Sequence, residues 1–508
     1  MRPSQGGAGN WRITRRWRVI LVILGFVPCA TAWSQQAKFF GIRIVDEQTG
    51  RGVPLAELRT VSNAVYVTDS AGWAAIAEPD LANREVYIHI ESPGYEVAKD
   101  GFGFRGKRMQ LVPGQKETVK IRRTAIAERM YRVTGQGVFR DSELLGIDVP
   151  LDLPQRDAGI TGQDSVQAVP YRGKMFWLWG DTNLANYPLG NFQVTAATSP
   201  LPDKLDQQKN IPLDYYFAEE RPRQIRKMMP LAEPGAVWLF GLTNLTGPDN
   251  AETLIAHYSR QKKLGDVEEH GLATFDDEAG IFRRLKKLPL EEGWRFPRGN
   301  AVIVNEGGKD YIYFCQPFAH PRVAAERKAI IDPQAYESLV WDQAAEDYRW
   351  QKETPPTTQK DEQRLIEAGK LSPDKARYAL TDAQAESAVI IHRASICWNE
   401  FCNGWVMIGN QEGSRDAPSY LGEVWYAVAD SIEGPWRRAV KIATHPRYSF
   451  YNPRQHPFLA EEEGRFIYFE GTYTRMFSAS STPTPRYDYN QLMYRLDLED
   501  ERLKAARD

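Results

Sequence analysis

From about residue 160 onward the chain repeats one pattern of short strands. Five segments end in aromatic or amide-bearing runs: MFWLWGDT, AVWLFGLT, YIYFCQPF, GWVMIGNQ and FIYFEGTY. Each is followed by a further strand: QVTAATS, TLIAHYS, SLVWDQ, EVWYAVADS and LMYRLDLED. Before four of them stands a strand led by polar residues: DSVQAVP, GNAVIV, SAVIIHRASICW and HPFLAEE. The unit near residue 230 lacks such a first strand. No helical crossover separates the strands within a unit, so each unit pairs locally as an antiparallel meander. Fivefold repetition of a unit that cannot bury its own faces predicts radial packing, a five-bladed β-propeller over 160–500. A β-sandwich of the same strand count is the alternative, and it leaves the repeat unexplained.

The units are longer than the about 40–50 residues of a regular propeller repeat. Insertions account for the excess. One is 201–232, rich in proline and charge. Another is 351–385, where DEQRLIEAGK and SPDKARYALTD read as helices, with Ser372 and Pro373 as a cap and first turn. The fold class is therefore all-β with a few helical insertions.

The region before the repeat is different. Residues 38–125 alternate short strands with turn residues, in FFGIRIVDEQTG, AELRTV, AVYVTDSAGWAAI, VYIHIESPGYE and ETVKIRR. That spacing predicts a small antiparallel β-sandwich. Residues 126–159 read as a linker. At the start, Arg12, Arg15, Arg16 and Arg18 precede VILVILGFV, and ATA occupies 30–32. A basic head, a short apolar body and small residues at the cleavage site describe a secretory signal over 1–32. The run is too short to span a bilayer, so the expectation is a secreted or periplasmic protein with no membrane partner after cleavage. An uncleaved anchor is the alternative.

Charge and cysteine content narrow the chemistry. A formal net charge of −2 over 508 residues supplies no basic footprint for nucleic acid. The aromatic content, 14 Trp, 23 Tyr and 21 Phe, suits both strand cores and sugar-facing clefts. Past the signal, the cysteines are Cys315, Cys397 and Cys402. Export permits a Cys397–Cys402 bridge across a hairpin, while Cys315 reads as a buried thiol. No CxxC, HExxH or paired Cys/His spacing marks a zinc site.

The site candidates follow from the topology. In a propeller the first strand of each blade lines the central channel, so polar residues at those strands converge at one mouth. They are Asp164, Arg298 with Asn300, His392 with Arg393, and Arg454 with His456. Asp181, Gln316 and Glu470 follow second strands. Within the hairpin GQDSVQAVPYRGKMFWLWGDTN, Asp164 stands before one strand and Asp181 after the next, which puts both at one edge. Two carboxylates across a cleft are the apparatus of glycoside hydrolysis: one protonated acid, one ionised base or nucleophile. Arg298 and Arg454 can supply the cation that keeps one of them ionised. Each Asp also has an ordinary reading as a turn cap. Glu470 is the third candidate carboxylate, and Asp488 a substrate contact or a turn residue. His456 orients a carboxylate, packs under Pro457, or ligates an axial cation.

The segments GQDS…FWLWGDTN, GEVWYAVADSIEGPW and NPRQHP…FIYFEGTYT resemble the secreted five-bladed-propeller glycoside hydrolases, closest to the arabinanase-like group. IVDEQTGRGVPLAELRT…YVTDSAGWAAI is similar to the carboxypeptidase-regulatory-like sandwiches of secreted bacterial proteins. The first resemblance implies an exported enzyme that cleaves pentofuranose or related glycosidic bonds. It gives Asp164 and Asp181 as the acid and base; the strand topology, not the resemblance, adds Glu470 as a third catalytic candidate and Arg298, Asn300, Arg393, Arg454, Gln316 and Asp488 as substrate contacts. The partner is a polysaccharide or oligosaccharide. No cofactor is required, and the family likeness allows a structural cation on the axis at His456. The long insertions and the weak second unit depart from the pattern. The competing expectation is a non-catalytic propeller that binds a glycan or a cell surface.

Overall fold

The computed structural model describes residues 38–507, apart from 152–157, 186, 192–193, 220, 248, 296–298, 414–419, 479 and 482–485. The signal segment expected at 1–32 and the candidate Arg298 lie outside the described residues. The chain is mostly β.

Residues 40–123 form two four-stranded sheets. One aligns Trp73–Ile76, Phe40–Asp46, Lys116–Arg123 and Tyr95–Glu96; the other aligns Val65–Val67, Glu57–Thr60, Glu85–Glu91 and Gly106–Gln110. Their inward faces alternate along each strand, and Ile42, Ile44, Leu58, Ile88, Ile90 and Ile121 share one apolar core between them. The pairing differs from the antiparallel expectation at one place. Phe40–Asp46 runs parallel to Lys116–Arg123, because these two strands come from opposite ends of the segment and no hairpin constrains their direction.

Five sheets of four or five strands follow in chain order, besides a small three-stranded and a two-stranded one, and from the first to the fifth the opening strands of neighbouring sheets lie against each other. The first runs Gln167–Tyr171, Lys174–Trp179, Thr195–Ser199, Asp214–Tyr215. The second runs Ala236–Thr246, Glu252–Lys263, Asp266–Asp276, Ile281–Leu288. The third runs Asn300–Glu306, Lys309–Cys315, Ala319–Ala324, Glu337–Asp342, Asp347–Lys352. The fourth runs Ile391–Asn399, Gly404–Gln411, Val424–Ala429, Arg438–Ala443, with Thr381–Asp382 at its outer edge. The fifth runs Ser449–Gln455, Phe466–Thr474, Asn490–Asp497, Glu128–Arg132. Side-chain hydrogen bonds join neighbouring opening strands: Gln167 Nε2 donates to Leu239 O (2.9 Å), Asn300 Nδ2 to Ile396 O (3.3 Å) and Gln455 Nε2 to Ser395 O (2.8 Å).

Several strand assignments shift. AVWLFGLT is the opening strand of the second sheet, not its second strand, so that unit does not lack a first strand. Its aromatic residues, Trp238 and Phe240, make it read like a second strand, but they line the cleft while Val237, Leu239 and Leu242 enter the core. HPFLAEE is not a strand; Ser449–Gln455 opens the fifth sheet, and Pro457–Leu459 is a 3₁₀ turn. SLVWDQ is the fourth strand of its sheet, displaced by Ala319–Ala324.

The 126–159 segment does more than link. Glu128–Arg132 pairs antiparallel with Asn490–Asp497 and completes the fifth sheet. An early strand thus hydrogen-bonds to the last one, covering an edge that would otherwise be open to solvent. The 351–385 insertion holds one helix, Gln359–Glu367, begun by a reciprocal capping box between Thr358 and Asp361. SPDKARYALTD forms turns, with Ser372 bonded to Asp374 rather than capping a helix. Cys315, Cys397 and Cys402 are free thiols.

Candidate active site

The carboxylate pair is built from a kinked hairpin. Ile160–Gln163 pairs with Thr182–Leu184 on one side of the kink, and Gln167–Tyr171 with Lys174–Trp179 on the other. Asp164 and Asp181 face each other where the hairpin passes from one sheet to the next. Asp164 N donates to Asp181 O (3.1 Å). The return bond goes to a side chain: Asp181 N donates to Asp164 Oδ1 (2.8 Å). Gly180 makes this possible, since a Cβ there would stand 2.3 Å from Asp164 Oδ1.

Three strained residues surround the pair. Ser165, Asn452 and Tyr489 have φ of 55°, 52° and 62°, a left-handed region costly for residues with a Cβ. Asn452 Nδ2 donates to Ser165 Oγ (2.7 Å), which pins the kink to the fifth sheet. Tyr451 and Tyr489, from the first and third strands of that sheet or just before them, donate their hydroxyls to Asp164 Oδ2 at 2.8 and 2.6 Å. Asp181 receives one side-chain bond, from Trp238 Nε1 to Oδ1 (2.7 Å). Trp238 reaches it because AVWLFGLT is an opening strand.

These contacts separate the two acids. Asp164 is buried, and burial pushes its carboxyl up; the two phenols and the Asp181 amide favour its ionised form and oppose that push. Asp181 is pushed up to about 7, first by burial and then by the charge of Asp164, with only the Trp238 indole opposing. With three donors on Asp164 against one side-chain donor on Asp181, the shared proton belongs on Asp181. No arginine acts on either carboxylate among the described residues, so the expected stabilising cation is replaced by hydroxyl and amide donors.

Both carboxylates open into a cleft of about 480 Å³. Asn300, His392, Arg393 and Arg454 line it from the third, fourth and fifth sheets, as do Trp238, Tyr451 and Tyr489. Four other candidates stand elsewhere. Glu470 is fully buried and hydrogen-bonded to His456 Nε2 (2.7 Å), away from the cleft, because its strand position points between sheets. His456 packs edge-on against Trp177 at 5.2 Å between ring centroids. Among the described residues no group of three or more His, Cys, Asp or Glu could hold a metal. Gln316 is tied to the Phe318 carbonyl through its backbone at the end of the third sheet. Asp488 is exposed and accepts from Arg475 N (2.9 Å), the turn-residue role.

The tyrosines and Trp238 are absent from the sequence-derived set. Tyr489 directly follows the candidate Asp488, but only the fold shows its hydroxyl turned onto Asp164.

No family model matches the chain, and no curated protein matches it. Solved structures are similar in fold at low identity. One is a Bacteroides ovatus protein provisionally named a hydrolase (13% identity, 66% of this chain and 86% of that one, TM-score 0.39). Another is an exo-β-1,3-galactanase of Phanerochaete chrysosporium determined with β-1,3-galactotriose (8%, 73% and 65%, TM-score 0.37). A third is an exo-1,5-α-L-arabinanase from a bovine ruminal metagenomic library (13%, 66% and 94%, TM-score 0.35).

Proposed function

We propose that this chain is an exported glycoside hydrolase, built as a five-bladed propeller behind a small β-sandwich, that cleaves glycosidic bonds of a polysaccharide. One observation carries the reading: two carboxylates share a cleft, and their hydrogen bonds divide the roles between them. Asp181, protonated near neutrality, gives its proton to the glycosidic oxygen as the bond to the anomeric carbon breaks. Asp164, held ionised by Tyr451, Tyr489 and the Asp181 amide, takes a proton from the attacking water or attacks the carbon itself. Cleft-facing Asn300 and Arg393 bind the sugar. The backbone strain at Ser165, Asn452 and Tyr489 favours catalysis over passive glycan binding, since strain persists where a site must hold fixed geometry.

Reducing-end release from a panel of plant and microbial polysaccharides, arabinan and galactan included, tests this. Asp164→Asn and Asp181→Asn should each lower turnover by about 10²–10⁴ with unchanged circular dichroism. Turnover retained in both variants rejects the assignment.

A further inference from the structure

Arg454 is a cleft cation that the catalytic pair does not explain. It follows Tyr451 by three positions on Ser449–Gln455, about 10 Å along the strand at most. It lines the cleft, as do Pro453, Asn300 and Ala394. Among the described residues it makes no hydrogen bond or ion pair. The ionisable groups that act on it are the thiols of Cys397 and Cys315; no carboxylate does, and burial pulls its pKa down. Arg454 is partly exposed to the cleft, so its guanidinium is incompletely hydrated and has no carboxylate to offset that. The arginines of the outer surface are treated differently: Arg322 is shared between Glu306 and Glu337, and Arg465 reaches Asp497 and Glu499.

The surroundings add to this. Asn300 is buried, its Nδ2 is spent on Ile396 O, and its Oδ1 has no partner among the described residues. One cleft thus holds an unsatisfied acceptor, suited to a hydroxyl, and an uncompensated cation, suited to an anion. His392 does not compete as a second charge: burial and Arg393 push it down to about 4, so it is neutral in the working range.

We infer that Arg454 and Asn300 form a subsite for an anionic sugar, in which the guanidinium takes a carboxylate or a sulfate ester bidentately and the Asn300 carbonyl accepts from a neighbouring hydroxyl. The inference rests on the glycosidase reading and narrows its substrate to acidic glycans, uronic-acid-containing or sulfated.

The test has two arms. In the first, kcat/KM is measured on matched acidic and neutral oligosaccharides. The acidic member should be preferred, and Arg454→Ala should lower the acidic-to-neutral ratio at least tenfold, with Arg454→Lys recovering part of it. Melting temperature serves as the structural control, since Arg454→Ala removes no side-chain hydrogen bond or ion pair among the described residues and should not lower it. A ratio unmoved by Arg454→Ala overturns the inference while leaving the hydrolase reading standing. In the second arm, binding of oligogalacturonate, of a sulfated oligosaccharide and of inorganic sulfate to Asp181→Asn protein is titrated with and without Arg454→Ala. Weakening of at least tenfold supports the subsite even where no glycoside is cleaved, which is the outcome that would fail the hydrolase reading alone. Oligogalacturonate binding without sulfate binding assigns uronic acid, and the reverse assigns a sulfate ester. Binding by none of the probes, or binding indifferent to Arg454→Ala, overturns it.

Discussion

The main-chain amide of Asp181 donates to the side chain of Asp164 at 2.8 Å. One catalytic candidate thereby stabilises the ionised form of the other through its backbone, while its own carboxyl remains free to carry a proton. Position and protonation are coupled in a single turn, and Gly180 supplies the room for it.

The alkaline limb of activity should lie near pH 7, where Asp181 loses its proton. Trp238 Nε1 favours the ionised form of Asp181, so Trp238→Phe should raise that carboxyl further and move the limb upward by about half a unit to one unit. The pH profile of kcat/KM reports it. A limb that moves downward contradicts the acid assignment.

Tyr489 acts on the other limb. Its hydroxyl bonds to the carboxylate of Asp164 at 2.6 Å, so Tyr489→Phe should raise the pKa of Asp164. The acidic limb then shifts upward and the bell narrows. Tyr451→Phe should do the same more weakly, in line with its 2.8 Å bond. Unchanged acidic limbs in both variants would mean that Asp164 is not the titrating base.

Stability should respond to Asp181 in a defined direction. The folded carboxyl titrates near 7, and an unfolded one near about 4. Between those values the folded chain holds the extra proton, so stability falls as pH rises through the window and stays low above it. Asp181→Asn removes the titrating group, and its amide oxygen can still accept from Trp238. The variant should therefore gain roughly 2–4 kcal/mol over the wild type above about pH 7, with the gain shrinking toward pH 4. Melting curves from about pH 5 to 9 decide it; parallel curves refute it.

Glu470 should prove structural. Glu470→Ala leaves His456 buried without its partner and should destabilise the fold by roughly 2–4 kcal/mol. Both limbs of the pH profile should stay in place, because Glu470 does not line the cleft. A displaced limb would return it to the catalytic group.

Local pattern determined much of this protein. Period-two alternation and turn residues set the strands of 40–123, and the hairpin arithmetic around Tyr171–Lys174 placed Asp164 opposite Asp181, because antiparallel register depends only on the count of residues through the turn. The helix at DEQRLIEAGK was legible from local pattern too, although its cap, at Thr358, was not. What depended on distant segments was not. Glu470 and Asp164 both read as polar residues beside apolar strands, yet one points between sheets at His456 and the other into the cleft. Trp238, Tyr451 and Tyr489 come from three separate stretches of chain, and their meeting on two carboxylates follows from the order of the sheets. Residues 128–132 showed no sign of pairing with 490–497, since strand pairing between chain ends leaves no spacing to read. Sequence alone set which residues could carry acid and base chemistry; the packing of the sheets decided which acid is surrounded by donors, and therefore which one keeps the proton.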